Sequence, residues 1–335
     1  MAAVPLAGAM PPAGAAKAPQ VRSYGEEMPD MVLAYLQRKT NALAAEWDHK
    51  RAQIRSAAAL EERNRFVRAR AIEMIHGLPD RTPLNPAIVR VLERDDYRIE
   101  SLMFESRPNF WVTASLYVSS GKRTGQRGGR PGIRCPLGTG AAREHGGLDR
   151  RARNRRNKAT TRRSKSPGAH PHVNDGETIM QYMAWEMNEP LTGMRVKDVL
   201  RSIDYVLTRS DVDRAAVRAI GTGMGALWVL FAAALDSRIS RAVCDGGLLS
   251  YRTLASSDRY LHGSSIMISD VLKHFDLPQV ASAIGERRLT LLDPVDAMKA
   301  RAAPEAARAV YPPPVRIATR KPEVPLSDQY LQLFG

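Results

Sequence analysis

The sequence predicts an α/β protein, a mostly parallel sheet with helices on both faces, preceded by two long N-terminal helices. Three observations predict it. Apolar residues recur at the helical period from Met31 to Ile75. Short apolar strands alternate with helical segments beyond Met194, the pattern of crossover-connected parallel strands. Between one such strand and a strongly apolar helix lies Gly221-Thr222-Gly223-Met224-Gly225, a turn dense enough in glycine to reverse the chain sharply.

Met31, Leu33, Tyr35, Leu36, Leu43, Trp47, Ile54 and Leu60 carry the helical period, and Phe66, Val67, Ile72, Met74 and Ile75 continue it. His76-Gly77-Leu78-Pro79 closes the run with a glycine cap and a proline, so two helices are expected to end there. Tyr97–Glu105 and Phe110–Val118 read as strands. In the second, Val112, Ala114, Leu116 and Val118 alternate with Trp111, Thr113, Ser115 and Tyr117, and Arg107-Pro108-Asn109 supplies a hairpin turn. After Glu177, Met194–Thr208 is an amphipathic helix. Ala216–Gly221, Ile239–Cys244, Leu289–Leu292 and Val315–Thr319 are the buried strands, and Gly225–Leu235 is the apolar helix after the glycine turn. The resulting divisions are a tail or signal remnant over 1–29, a helical region over 30–79 and a first α/β part over 80–120. A basic stretch over 121–175, a second α/β part over 176–320 and a tail over 321–335 follow.

The net charge of +15 would ordinarily suggest an acidic partner. Its distribution does not. Gly121 to Lys165 holds fifteen Lys or Arg against two acids, Glu144 and Asp149, so the remainder of the chain is nearly neutral. No aromatic residue occurs between Tyr117 and Tyr182, and from Gly138 to His172 the only large apolar side chain is Leu148. Such a composition cannot bury enough surface to offset chain entropy, and the centre of the domain is expected to be disrupted there. Its abundance of Arg, Gly, Ala and Pro is what a GC-rich gene gives when read out of frame. The rival expectation is a nucleic-acid-binding arm over 121–165, which lacks the aromatic residues that such arms interleave. The first twenty residues, rich in Ala, Pro and Gly, are a disordered tail or the remnant of an export signal. The remnant would make the protein exported; otherwise it is cytoplasmic. No apolar run of membrane-spanning length occurs, and two cysteines, Cys135 and Cys244, argue against a disulfide framework or a zinc cluster.

A strand, Gly-x-x-x-Gly and an apolar helix make the arrangement that lifts a nucleophile above a sheet. The middle residue attacks the substrate carbonyl and must be Ser, Cys or Asp. Here it is Gly223, so the position is vacant. The glycine spacing is not that of a dinucleotide-binding loop, and no cofactor is expected.

Several stretches resemble one family: Gly77 to Pro86 followed by Leu92 to Phe104, Val199 to Arg209 with Asp211 and Asp213, Ala232 to Ile239, and Leu289 to Ala297. Together with the glycine turn, over roughly 30–118 and 178–320, they resemble the acetyl xylan esterase and dienelactone hydrolase-like branch of the α/β-hydrolases. The resemblance implies an α/β-hydrolase-like fold, a carboxylic-ester hydrolase ancestry and an acetylated carbohydrate or other small ester as partner. It implies that Pro131 to Gly140 is a third strand with its oxyanion loop, that Asp296, with Asp293 beside it, is the acid, and that a histidine follows the last strand. No histidine follows His274. His262 and His274 are the remaining candidates for the base. Asp245, at a strand end, stands where α/β sheets present ligand-binding groups. The expectation is a catalytically impaired esterase-like protein. The alternatives are an active ester hydrolase using a different nucleophile, for which Ser250, Ser256, Ser257 and Ser264 are the nearby stock, and nucleic-acid binding through the basic segment.

Overall fold

The computed structural model describes residues 31–95, 97–119, 133–134, 137–138, 176–257, 259–311 and 313–334. The basic segment and the N-terminal tail, apart from those two short pieces, lie outside the described residues. So do the expectations placed on them.

Helices α1 (Met31–Ala52) and α2 (Ala57–Met74) open the chain, separated where the Ser56 hydroxyl caps α2 by accepting the Ala59 N–H at 3.1 Å. Beyond α2, His76 and Gly77 take positive φ and stop the helix. Val67, Ala71 and Ile75 are buried in the main core, whereas α1 buries no residue. It is held from outside by Trp47, whose indole N–H donates to the Lys273 carbonyl at 3.2 Å and whose ring lies 4.1 Å from the Arg63 guanidinium carbon.

Strands β1 (Ala87–Glu93), β2 (Tyr97–Arg107) and β3 (Phe110–Ser119) form an antiparallel sheet, to which β4 (Ile133–Arg134) and β5 (Leu137–Gly138) add short antiparallel pairings with β3. Asn109, at φ 62, turns the β2–β3 hairpin. Leu102, Phe104, Val112, Ala114, Leu116 and Val118 all face inward, as period-two alternation requires. Strand β1 is nearly all exposed, so it carried no alternation for the sequence to show.

Next come α3 (Gly176–Glu186) and α4 (Leu191–Thr208). Helix α4 receives the first sheet: Tyr205 stacks on Phe104 at 5.7 Å, and buried Asp198 accepts the Ser106 hydroxyl at 2.7 Å with Arg107 and Arg195 nearby. Burial pushes the Asp198 carboxyl above the ordinary carboxylate range.

A second sheet follows, with β6 (Arg218–Thr222), β7 (Arg241–Asp245), β8 (Arg288–Leu292) and β9 (Arg316–Ala318) in that order, all parallel. Helix α5 (Met224–Leu235) crosses from β6 to β7. Short helices α6 (Tyr251–Ala255), α7 (Val271–His274) and α8 (Leu277–Ser282) lie between β7 and β8, and α9 (Pro304–Val310) lies between β8 and β9. Ala242, Cys244, Leu289 and Leu291 share the main core with α5, whose alanines allow close approach to the sheet. Val243 and Leu292 point to the opposite face, against Tyr330, Leu333 and Phe334 at the end of α10 (Leu326–Leu333). Helices thus cover both faces.

The expected α/β arrangement, a parallel sheet with helices on both faces, is present. The antiparallel sheet of β1–β5 is hydrogen-bonded separately from it, and among the described residues no strand joins β3 to β6. The stretch after 320, expected as a tail, contains α10. Leu326, Tyr330, Leu333 and Phe334 fall at the helical period, and the last three pack on the sheet.

Candidate functional site

The glycine turn has the geometry of a nucleophile elbow. Gly223 lies between β6 and α5 at φ 56 and ψ −119, a conformation costly to residues with a side chain. Its N–H donates to the Asp245 carbonyl at 2.8 Å, which pins the turn to the next strand. A Cβ on Gly223 would meet no heavy atom of the described residues within 4 Å, so among them the space above the turn is open. Gly221 is different. A Cβ there would sit 2.0 Å from the Gly225 carbonyl oxygen, so strand and helix can close only around glycine. Gly247 is also tight, with Ala226 Cβ at 2.7 Å from its would-be side chain. The free N–H groups at the start of α5 lie directly after the turn, where a helix favours negative charge.

Around the carboxyl ends of the strands sit three acids, each already engaged. Asp245 is fully buried, with one oxygen 2.5 Å from Arg320 Nη2 and the other accepting the Tyr330 hydroxyl. Burial, and then this hydrogen bond, push the Tyr330 phenol upward. Asp293, at φ 46, is buried and paired with Arg301 Nε at 3.2 Å, and it accepts the Arg320 backbone N–H. Asp296 accepts the N–H groups of Met298 at 2.8 Å and Ala300 at 2.9 Å, so its carboxylate holds its own loop.

The structure brings His262 and Asp296 together, but not as base and acid. His262 Nε2 lies 2.8 Å from the Asp296 backbone carbonyl. A carbonyl only accepts, so Nε2 carries the proton and the carboxylate does not orient the ring. Burial lowers the His262 pKa. His274 ends α7 with its ring 6.3 Å from Phe66 and its carbonyl accepting from Arg63 at 2.6 Å, which places it under the N-terminal helices. The serines are likewise placed. Ser250 caps α6, Ser256 follows that helix, Ser257 donates to the Arg259 carbonyl at 2.5 Å, and the Ser264 hydroxyl is buried without a partner. Among the described residues none of the four bonds an imidazole.

Arg320, Arg301 and Tyr330 escaped the sequence reading. The segment after β9, where the resemblance implied a histidine, delivers Arg320, whose guanidinium cannot act as a base. A lone arginine beyond a strand carries no spacing signal. Asp293, named only as a neighbour of Asp296, proves to belong to this cluster. Among the described residues no group of three or more His, Cys, Asp or Glu is arranged to hold a metal.

Known proteins bear on this geometry. No family model matches the chain. It is 25% identical over 233 residues to the protein named "Putative hydrolase YtaP" from Bacillus subtilis (strain 168), across 66% of this chain and 77% of that protein. The structure is similar to that of a "putative acetyl xylan esterase" from Bacteroides fragilis NCTC 9343, with TM-score 0.58 and 15% identity over 82% of this chain and 78% of the other. It is also similar to Methylesterase BT1017, with TM-score 0.51 and 14% identity over 90% and 67% of the two chains. With its parallel sheet, flanking helices and glycine elbow, the protein has an α/β-hydrolase-type fold.

Proposed function

We propose that the protein is an acetyl xylan esterase-like member of the ester hydrolases in which the chemical step is lost, leaving a site that can receive an acyl ester but not cleave it. One observation carries this reading. Gly223 holds the elbow conformation, with open space where a nucleophile would stand and no side chain to occupy it. Among the described residues no base stands beside it, which supports the same conclusion. A triad needs a nucleophile, a base within hydrogen-bond reach and an acid orienting that base. Here the acids are committed to Arg301, Arg320 and backbone amides. Loss of the serine or the histidine alone costs a serine protease about 10⁶-fold in kcat. Serine at 223 without a base is therefore expected to restore nothing.

The test is hydrolysis of an activated acetyl ester by wild type and Gly223→Ser, with fluorophosphonate labelling and peptide mapping. Both proteins are expected to match a heat-inactivated control. Stoichiometric labelling of any wild-type serine, with turnover above that control, would overturn the proposal and identify a different nucleophile.

A further inference from the structure

We infer that the outer face of the antiparallel sheet is a platform for single-stranded nucleic acid, with bases stacked on Tyr97, Tyr117 and Trp111 and phosphates held by Arg90 and Arg94. The face follows from the alternation of the strands. Leu102 and Phe104 of β2 and Val112, Ala114, Leu116 and Val118 of β3 are buried toward α4. Tyr97, Trp111 and Tyr117 occupy the alternate positions and point the other way. Trp111 is 45% exposed and Tyr97 38%. Among the described residues none of the three rings joins a hydrophobic core. The platform is independent of the Gly223 elbow, which belongs to the other sheet.

The rings are spread out rather than paired off. Tyr97 and Tyr117 have centroids 6.0 Å apart and planes 38° apart, so they do not stack on each other. Trp111 stands farther along β3, about 20 Å from Tyr117 at the rise of an antiparallel strand. Ser101 and Ser115, register partners between these rings, are small and leave the aromatic side chains standing above the sheet.

Strand β1 supplies charge. Arg90 is the register partner of Ser101, and the Arg94 N–H donates to the Tyr97 carbonyl at 2.9 Å. Residues opposite one another on antiparallel strands share a face, so both arginines stand on the aromatic side. Both are exposed. Among the described residues Arg90 has no hydrogen bond or ion pair, and the Arg94 guanidinium donates to the neighbouring Glu93 carbonyl at 3.2 Å. Glu105, opposite Trp111, accepts from Asn85 Nδ2 at 3.2 Å. A phosphate track therefore follows the β1 side, away from Glu105.

Aromatic rings on adjacent strands, small polar residues between them and unpaired arginines along one edge suit a single strand. Every base has a face to stack, and every phosphate needs a cation. A neutral sugar uses the rings but gives the arginines no charge to meet. The aromatic residues that the basic segment lacks stand on the strand that leads into it. Strand β3 ends at Ser119, and Gly121 to Lys165 carries fifteen Lys or Arg against two acids, a charge that steers polyanions to this chain.

Fluorescence anisotropy on the full chain tests this, with labelled oligothymidylate and oligouridylate of about fifteen nucleotides as probes and a duplex of the same length as control. Saturable binding is expected for at least one single strand, and weaker binding for the duplex, whose bases are already stacked. Trp111→Ala and Tyr117→Ala are each expected to weaken binding by about five- to a hundredfold. Trp111→Phe keeps a stacking ring and should bind within a few-fold of wild type, which guards against a folding defect. Arg90→Gln with Arg94→Gln should lower the slope of log affinity against log salt by about 0.7 per lost phosphate contact. Absence of saturable binding to both single strands overturns the inference, as does a duplex bound equally tightly. Unchanged affinity in Trp111→Ala and Tyr117→Ala also overturns it, since the strand would then sit on the basic segment alone. Retention on a xylan gel that depends on Trp111, with no oligonucleotide bound, would assign the face to a sugar instead.

Discussion

Ile220 and Val243 are register partners on adjacent parallel strands, and their side chains point to the same face of the sheet. Val243 is 1% exposed and Ile220 38%. The chemistry of the two residues is nearly the same; their surroundings are not. Val243 lies beneath the end of α10 with Leu292 and Phe334, and its strand has a neighbour on each side. Strand β6 is paired only with β7 among the described residues. Parallel strands between helical layers are apolar on both faces because both are buried. By composition Ile220 belongs to an inner strand; by position it stands at a rim. The completed side of the sheet obeys the burial its residues call for, and the β6 side does not.

Two pairs of substitutions probe that contrast. The largest effect is expected at the turn joining β6 to α5. Gly221→Ala forces a Cβ onto the Gly225 carbonyl, so strand and helix must separate, at an expected cost above about 4 kcal/mol. Gly223→Ala, two residues away, meets only backbone strain and should cost about 1–3 kcal/mol. Urea unfolding of both variants measures the difference, and equal costs would remove the elbow geometry. Next is the register pair itself. Val243→Ala should cost about 2 kcal/mol and Ile220→Ala less than about 1 kcal/mol, although isoleucine loses more atoms. Reversal of that order would mean that Ile220 is covered in solution.

The smallest effect concerns His262. Burial depresses its pKa in the folded state, so its contribution to stability is present above the unfolded value of about 6.5 and is lost as pH falls through the folded one. Stability should therefore decline on acidification from about pH 7 to 5 by a component that His262→Gln removes, since glutamine can still donate to the Asp296 carbonyl. A mutant with an unchanged slope would separate His262 from this linkage.

Much of the scaffold was legible in the sequence because it depends on local periods. Phe110–Ser119 alternates, α4 carries an apolar stripe, and Gly221 and Gly223 sit where the chain must turn. What could not be read depends on contacts remote in sequence. Strand β1 is exposed on both faces and has no pattern. Helix α10 is short, and its Tyr330 matters because Asp245 lies 85 residues earlier. The family resemblance pointed to Asp296, yet its carboxylate serves its own loop, while Arg320, at no recognisable spacing, engages Asp245 and Asp293. Motifs report which backbone is built. They do not report which side chains have been claimed by one another.

The elbow also imposes a direction on change. Any residue with a side chain holds φ 56, ψ −119 under a strain of about 1–3 kcal/mol, which glycine escapes. A sequence that acquires glycine there gains stability at once, and that surplus masks destabilising substitutions elsewhere that selection would otherwise remove. Return to a reactive residue must then overcome the renewed strain in a protein with less reserve. Glycine at the apex acts as a ratchet: easy to enter, and harder to leave with each substitution it has made tolerable.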